Sequence, residues 1–91
     1  MADLRDIIAY LCSKNEIALS KTRLTKLIYL ADWRHSVEHG TQMTNLLWRF
    51  DHYGPFVDDV IQAARQSDEF NVFRIKNSFG DDVELVKMAG K

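Results

Sequence analysis

The sequence predicts a mostly α (α+β) domain with a three-helix core, a long central helix and a C-terminal antiparallel β-hairpin. Three observations lead there. Apolar residues recur at helical spacing through the first two-thirds of the chain. Gly40 ends a long helical run. The C-terminal stretch alternates on either side of a turn rich in Asn, Ser, Gly and Asp.

Leu4, Ile7, Ile8 and Leu11 recur at i, i+3, i+4 and i+7 behind Asp3, a capping residue, and predict a first helix over residues 3–14. The stretch "NEIALS" breaks the period. Ser20 then caps a second helix that runs to His39, where Gly40 supplies the left-handed stop. On that helix Leu24, Leu27, Ile28, Ala31 and His35 gather on one side. Tyr29, Leu30, Trp33 and Val37 spread over the opposite half. A narrow polar wedge of Thr25, Asp32, Ser36 and His39 remains. Two apolar faces predict a central helix packed on both sides, with the bulk of Trp33 anchoring the core. Trp and Tyr also dominate protein interfaces, so Trp33 and Tyr29 stand as candidate contact residues as well.

Residues 41–53 lack helical spacing; Trp48 and Phe50 lie two apart with Leu46 in phase, which reads as a short extended segment. Next comes Gly54-Pro55, read as the start of a third helix. Proline suits the first helical position, where its missing N–H would be unpaired anyway, and Asp58 and Asp59 suit the positive end of the helix dipole. Phe56, Val57, Val60, Ile61, Ala63 and Ala64 would form its apolar face, with Asp58, Asp59, Gln62, Arg65 and Gln66 opposite. Alternating runs over 72–76 and 82–87 predict the closing hairpin.

With 91 residues, residues 1–91 are expected to form one domain with one core. Twelve Lys and Arg against 13 Asp and Glu give a formal net charge of −1, so no general field attracts nucleic acid or anionic membrane. No stretch approaches the roughly 20 apolar residues of a membrane span, and the N-terminus carries an acid ahead of its first apolar group; the expectation is a cytoplasmic protein without a membrane partner. The single cysteine, Cys12, makes no internal disulfide and is expected to be a small core residue.

Catalytic chemistry finds little support. His35-Ser36-Val37-Glu38-His39 matches H-x-x-E-H, in which two histidines one turn apart hold zinc and the glutamate acts as base. Gly40 ends that helix at once, and no later helix offers a third ligand, so no metal site is expected. Cys12 lacks cations or a helix N-terminus to activate its thiol. Gly40, Gly54, Gly80 and Gly90 are isolated and build no phosphate loop, so no cofactor is expected either. The order helix, helix, helix, hairpin also occurs in winged-helix DNA binders. Here Asp58 and Asp59 would meet the phosphates where Arg or Lys is wanted, which makes nucleic acid a poor fit.

The stretch "TRLTKLIYLADWRHSVEHG" followed by "WRFDHYGPFVDDV" resembles the antitoxin SocA-like, or Panacea, domain through Lys26, Leu27, Tyr29, Leu30, Ala31, Gly40, Tyr53, Gly54 and Pro55. The likeness spans residues 19–60, and the chain's short length leaves two expectations open: a compact or truncated form of the domain, or the conserved portion of something whose toxin contacts lie elsewhere. What the resemblance implies is a protein-binding antitoxin rather than an enzyme. Its partner would be a protein toxin, neutralised by direct binding or handed to a protease by an adaptor. A winged-helix DNA-binding module is the second reading and a zinc hydrolase the third. Tyr53 and His52, held beside the central helix by Gly54 and Pro55, are the expected partner contacts, together with Trp33 and Tyr29. Lys26, Gly40, Gly54 and Pro55 are the motif positions expected to serve structure.

Overall fold

The computed structural model describes residues 3–52 and 54–89. Helix α1 (Leu4–Ser13) opens behind Asp3, whose side chain accepts a hydrogen bond from the Arg5 backbone N–H at 2.9 Å. Strand β1 (Leu19–Ser20) leads into α2 (Lys21–His39), where Ser20 Oγ caps the Arg23 N–H at 3.1 Å. Gly40 closes α2 at φ +81°, its N–H donating to the Ser36 carbonyl at 2.8 Å. A left-handed residue at this place satisfies an otherwise unpaired terminal carbonyl.

After an irregular stretch come β2 (Arg49–Asp51) and β3 (Gly54–Phe56), an antiparallel pair. Helix α3 (Asp59–Arg65), β4 (Phe70–Lys76) and β5 (Asp82–Met88) complete the chain. The three-stranded sheet has the order β1-β5-β4, with Leu19 opposite Val86 and Ser20 opposite Leu85. The β4–β5 turn is tied by Asn77, whose side chain accepts the Phe79 and Asp81 N–H groups at 2.9 and 3.0 Å; Gly80, at φ +84°, supplies the left-handed step.

The predicted three-helix core with a terminal hairpin is therefore overturned: the domain is α+β with two sheets, and the core is shared. Ile8 and Cys12 of α1, Leu24 and Ile28 of α2, and Val60, Ile61 and Ala64 of α3 pack with Leu19, Phe70 and Val86 from the larger sheet, joined by Leu46 and Val57. The reason lies in "NEIALS". Where the helical period breaks, the chain stays extended for two residues, long enough to add a strand to β5 before Ser20 starts α2. A two-residue strand is below what alternation in a sequence can reveal.

Gly54-Pro55 is also not a helix start. Both residues lie in β3, with Pro55 opposite Phe50 and Gly54 opposite Asp51, and α3 begins only at Asp59. Antiparallel strands turn alternate N–H groups away from the partner, so an edge proline costs no ladder bond. Gly54 sits at φ +111°, a conformation closed to most other residues. In element order, β1 lies between α1 and α2, and β2 and β3 lie between α2 and α3. Among the described residues, no helix is long and apolar enough to cross a membrane.

Candidate protein-binding surface

Helix α2 has a buried side and a bare one. Leu24 and Ile28 are fully buried, whereas Leu30, Trp33 and Val37 are exposed, Trp33 to 57%. Trp33 lies three residues from Leu30 and four from Val37, so the three form one stripe along the helix, with Lys26 extending it toward the N-terminus. The half expected to be packed is therefore left largely open at Leu30, Trp33 and Val37. Trp33 is a surface residue and not the anchor of the core.

The supposed polar wedge is corrected as well, since Thr25 and Asp32 are buried, Asp32 to 1% exposure. Asp32 organises the irregular stretch after α2. Its Oδ1 accepts the Thr44 N–H at 2.9 Å; its Oδ2 accepts the Thr44 hydroxyl at 2.5 Å and the Trp48 indole N–H at 2.9 Å. Thr44 Oγ1 accepts in turn from the Leu46 N–H at 3.2 Å, and the Gln42 side-chain amide donates to the Thr44 and Leu46 carbonyls at 3.2 and 3.0 Å. Buried backbone without a ladder needs such partners. Among the described residues no buried side-chain nitrogen or oxygen is left without one.

This network seats aromatic rings beside the bare stripe. Tyr29 meets Trp48 edge-on with centroids 5.3 Å apart and Phe50 edge-on at 5.5 Å. Tyr29, Trp33, Leu47, Trp48 and Phe50 line a groove of about 470 Å³ with Asp32 at its base. Phe50 is 64% and Leu47 84% exposed. The groove and the stripe together make one apolar surface on α2, β2 and the segment joining them. Aromatic rings already held by neighbours lose little freedom when a partner covers them.

Of the residues expected to contact a partner, Tyr29 and Trp33 lie on this surface. His52 is exposed where the chain leaves β2, and Tyr53 lies outside the described residues. Lys26 is exposed on α2; Gly40, Gly54 and Pro55 shape the backbone as described above. Sequence reasoning missed Asp32, Thr44 and Leu47, and placed Trp48 and Phe50 only as an extended pair. The available signal was an aspartate inside the apolar run "LIYLADW", which patterning assigned to the solvent side.

The H-x-x-E-H residues make other contacts. The His35 and His39 rings lie 4.5 Å apart, and His35 Nδ1 approaches the Thr41 carbonyl at 2.6 Å, a bond that requires the proton on Nδ1. Glu38 pairs with Arg34 at 3.1 Å, and His39 Nε2 lies 3.9 Å from Glu38. Among the described residues no group of three His, Cys, Asp or Glu side chains is gathered to hold a metal ion. Cys12 is buried in the core as expected, its thiol 3.9 Å from the Val86 carbonyl; burial pushes the thiol pKa up.

Neither the curated proteins nor the solved structures gave a match. The family model of the antitoxin SocA-like, Panacea domain matches residues 24–89, from the buried start of α2 through the end of β5. That span is well over half of the chain, and it takes in all of α2 after its first three residues, Asp32, the aromatic groove and both strands of the hairpin. The chain belongs to the antitoxin SocA-like, Panacea domain family.

Proposed function

We propose that this chain is an antitoxin module that neutralises a protein toxin by covering it with the apolar surface of α2 and β2. The observation that carries the reading is the bare side of α2, where Trp33 and Phe50 stay exposed beside a groove built on a buried aspartate. Contiguous exposed apolar surface marks interaction sites, and buried aromatic anchors supply most of the affinity of protein interfaces. His52 and Tyr53 follow β2 in sequence, and we place them at the edge of the contact. The module is non-catalytic in this reading, works in the cytoplasm, and residues 1–91 act as one domain.

The test is co-expression with the product of the adjacent gene, expressed alone as a growth inhibitor. Wild-type chain is expected to restore growth and to co-purify with the toxin. Trp33→Ala combined with Phe50→Ala should abolish both while leaving the fold intact by circular dichroism. Full rescue by that double variant would refute the assigned surface. A toxin whose level falls only in cells with an intact protease would make the chain an adaptor rather than a plug.

A further inference from the structure

The larger sheet also has an uncovered face. In the β4–β5 ladder, Val72 pairs with Val86 and Phe70 with Met88, and these side chains turn toward the core. Phe73 pairs with Leu85 and Ile75 with Val83, and these point the other way. Phe73 and Ile75 remain 38% and 46% exposed. On that outer face β5 and the residue before it read Asp81, Val83, Leu85, Lys87: an acid, two apolar residues and a base. Beside them β4 and its end read Asn71, Phe73, Ile75, Asn77, polar at both ends and apolar between. Asp81 and Lys87 make no ion pair among the described residues, unlike Asp82, which pairs with Lys76, and Glu84, which pairs with Arg65.

We infer that this face binds a second copy of the chain through a two-fold axis, forming a homodimer independent of the toxin-binding surface. A two-fold axis brings the same patch together in opposite directions. Six residues separate Asp81 from Lys87, about 20 Å at strand rise. Turning one face over another end to end therefore sets Asp81 of each copy against Lys87 of the other, with Phe73, Ile75, Val83 and Leu85 of both enclosed between. The opposite sense of packing would bring Asp81 against Asp81, and like charges select against it. The face is small, about 24 by 10 Å from the length and spacing of β4 and β5, so the dimer is expected to be weak and concentration-dependent.

The experiment is sedimentation velocity on the purified chain without toxin, over a wide concentration range. Wild type should pass reversibly from monomer to dimer. Asp81→Lys and Lys87→Asp should each weaken self-association by about tenfold or more, because each makes both charged contacts repulsive. Mixing the two variants should restore dimers, since every contact then joins opposite charges, and the variant carrying both changes should dimerise like wild type. Rescue of this kind cannot come from damage to the fold. A wild-type chain that stays monomeric overturns the inference, as does a dimer that survives Phe73→Asp or fails to reform in the mixture. A monomer that instead loses toxin on Phe73→Asp would assign the face to the toxin.

Discussion

The indole N–H of Trp48 donates to the carboxylate of Asp32 at 2.9 Å, linking the middle of α2 to a residue 16 positions later. Together with the two bonds from Thr44, it gives the irregular stretch after α2 its only buried charged partner among the described residues. Removing Asp32 would strand three donors. Asp32→Ala should therefore destabilise the domain by roughly 3 kcal/mol, and Asp32→Asn by about 2 kcal/mol because an amide turns donors toward donors. Trp48→Phe, which keeps an aromatic side chain but loses the N–H bond and part of the indole's bulk, should cost about 1–2 kcal/mol. Denaturant unfolding checks the order; equal stability of Asp32→Ala and wild type would contradict the network's role.

Two glycines test the backbone argument. No atom lies within 4 Å of a β-carbon built on Gly54 or Gly40, so alanine there meets conformational strain and no steric clash. Gly54→Ala, at φ +111°, should cost about 1–3 kcal/mol, and Gly40→Ala, at a left-handed cap, about 1 kcal/mol. Gly40→Asn should recover part of the loss, and Gly54→Asn little, because asparagine tolerates the left-handed helical region and not the wider angle. Thermal melts of the four variants decide the matter.

Cys12 should be slow to react. Its thiol is buried in the core with a raised pKa, so a thiol reagent at neutral pH should modify the folded protein far more slowly than the denatured one. Modification rates measured against denaturant should track the unfolding transition. A folded protein that reacts as fast as the unfolded chain would place Cys12 at the surface.

Glu84 carries the expected acid sensitivity. The hydrogen bond from Arg65, reinforced by the charges of Arg65, Arg74 and Lys21 and opposed by partial burial, holds its carboxyl below the ordinary carboxylate range. A carboxylate with a lowered folded value stabilises fully above its unfolded pKa and loses that contribution as pH falls through the folded value. Glu84→Gln should therefore lose about 0.5–1 kcal/mol at neutral pH and nothing at a pH below both values. A penalty that stays constant as the solution is acidified would mean packing, not charge, holds α3 to β5.

Local chemistry was legible in the sequence wherever one residue decides it. Asp3 and Ser20 cap α1 and α2, Gly40 stops α2, and the Asn77–Asp81 turn joins two alternating runs, because a cap or a turn needs only its own neighbours within hydrogen-bond reach. The family resemblance rested on α2 and Tyr-Gly-Pro for the same reason: it needs residues in order and no distances. What depended on distant partners was decided by tertiary structure alone. Periodicity showed that α2 has two apolar sides but could not show that only one would be covered, since Leu30, Trp33 and Val37 carry the same hydrophobicity buried or bare. Nor could it show that Asp32 turns inward, for an aspartate is buried only when donors wait for it, and Thr44 and Trp48 reach it through a segment without regular structure. Strand β1, which completes the three-stranded sheet, and strand β3 arise likewise from short extended pieces, each too brief to show a period and stable only because its partner strand is in place.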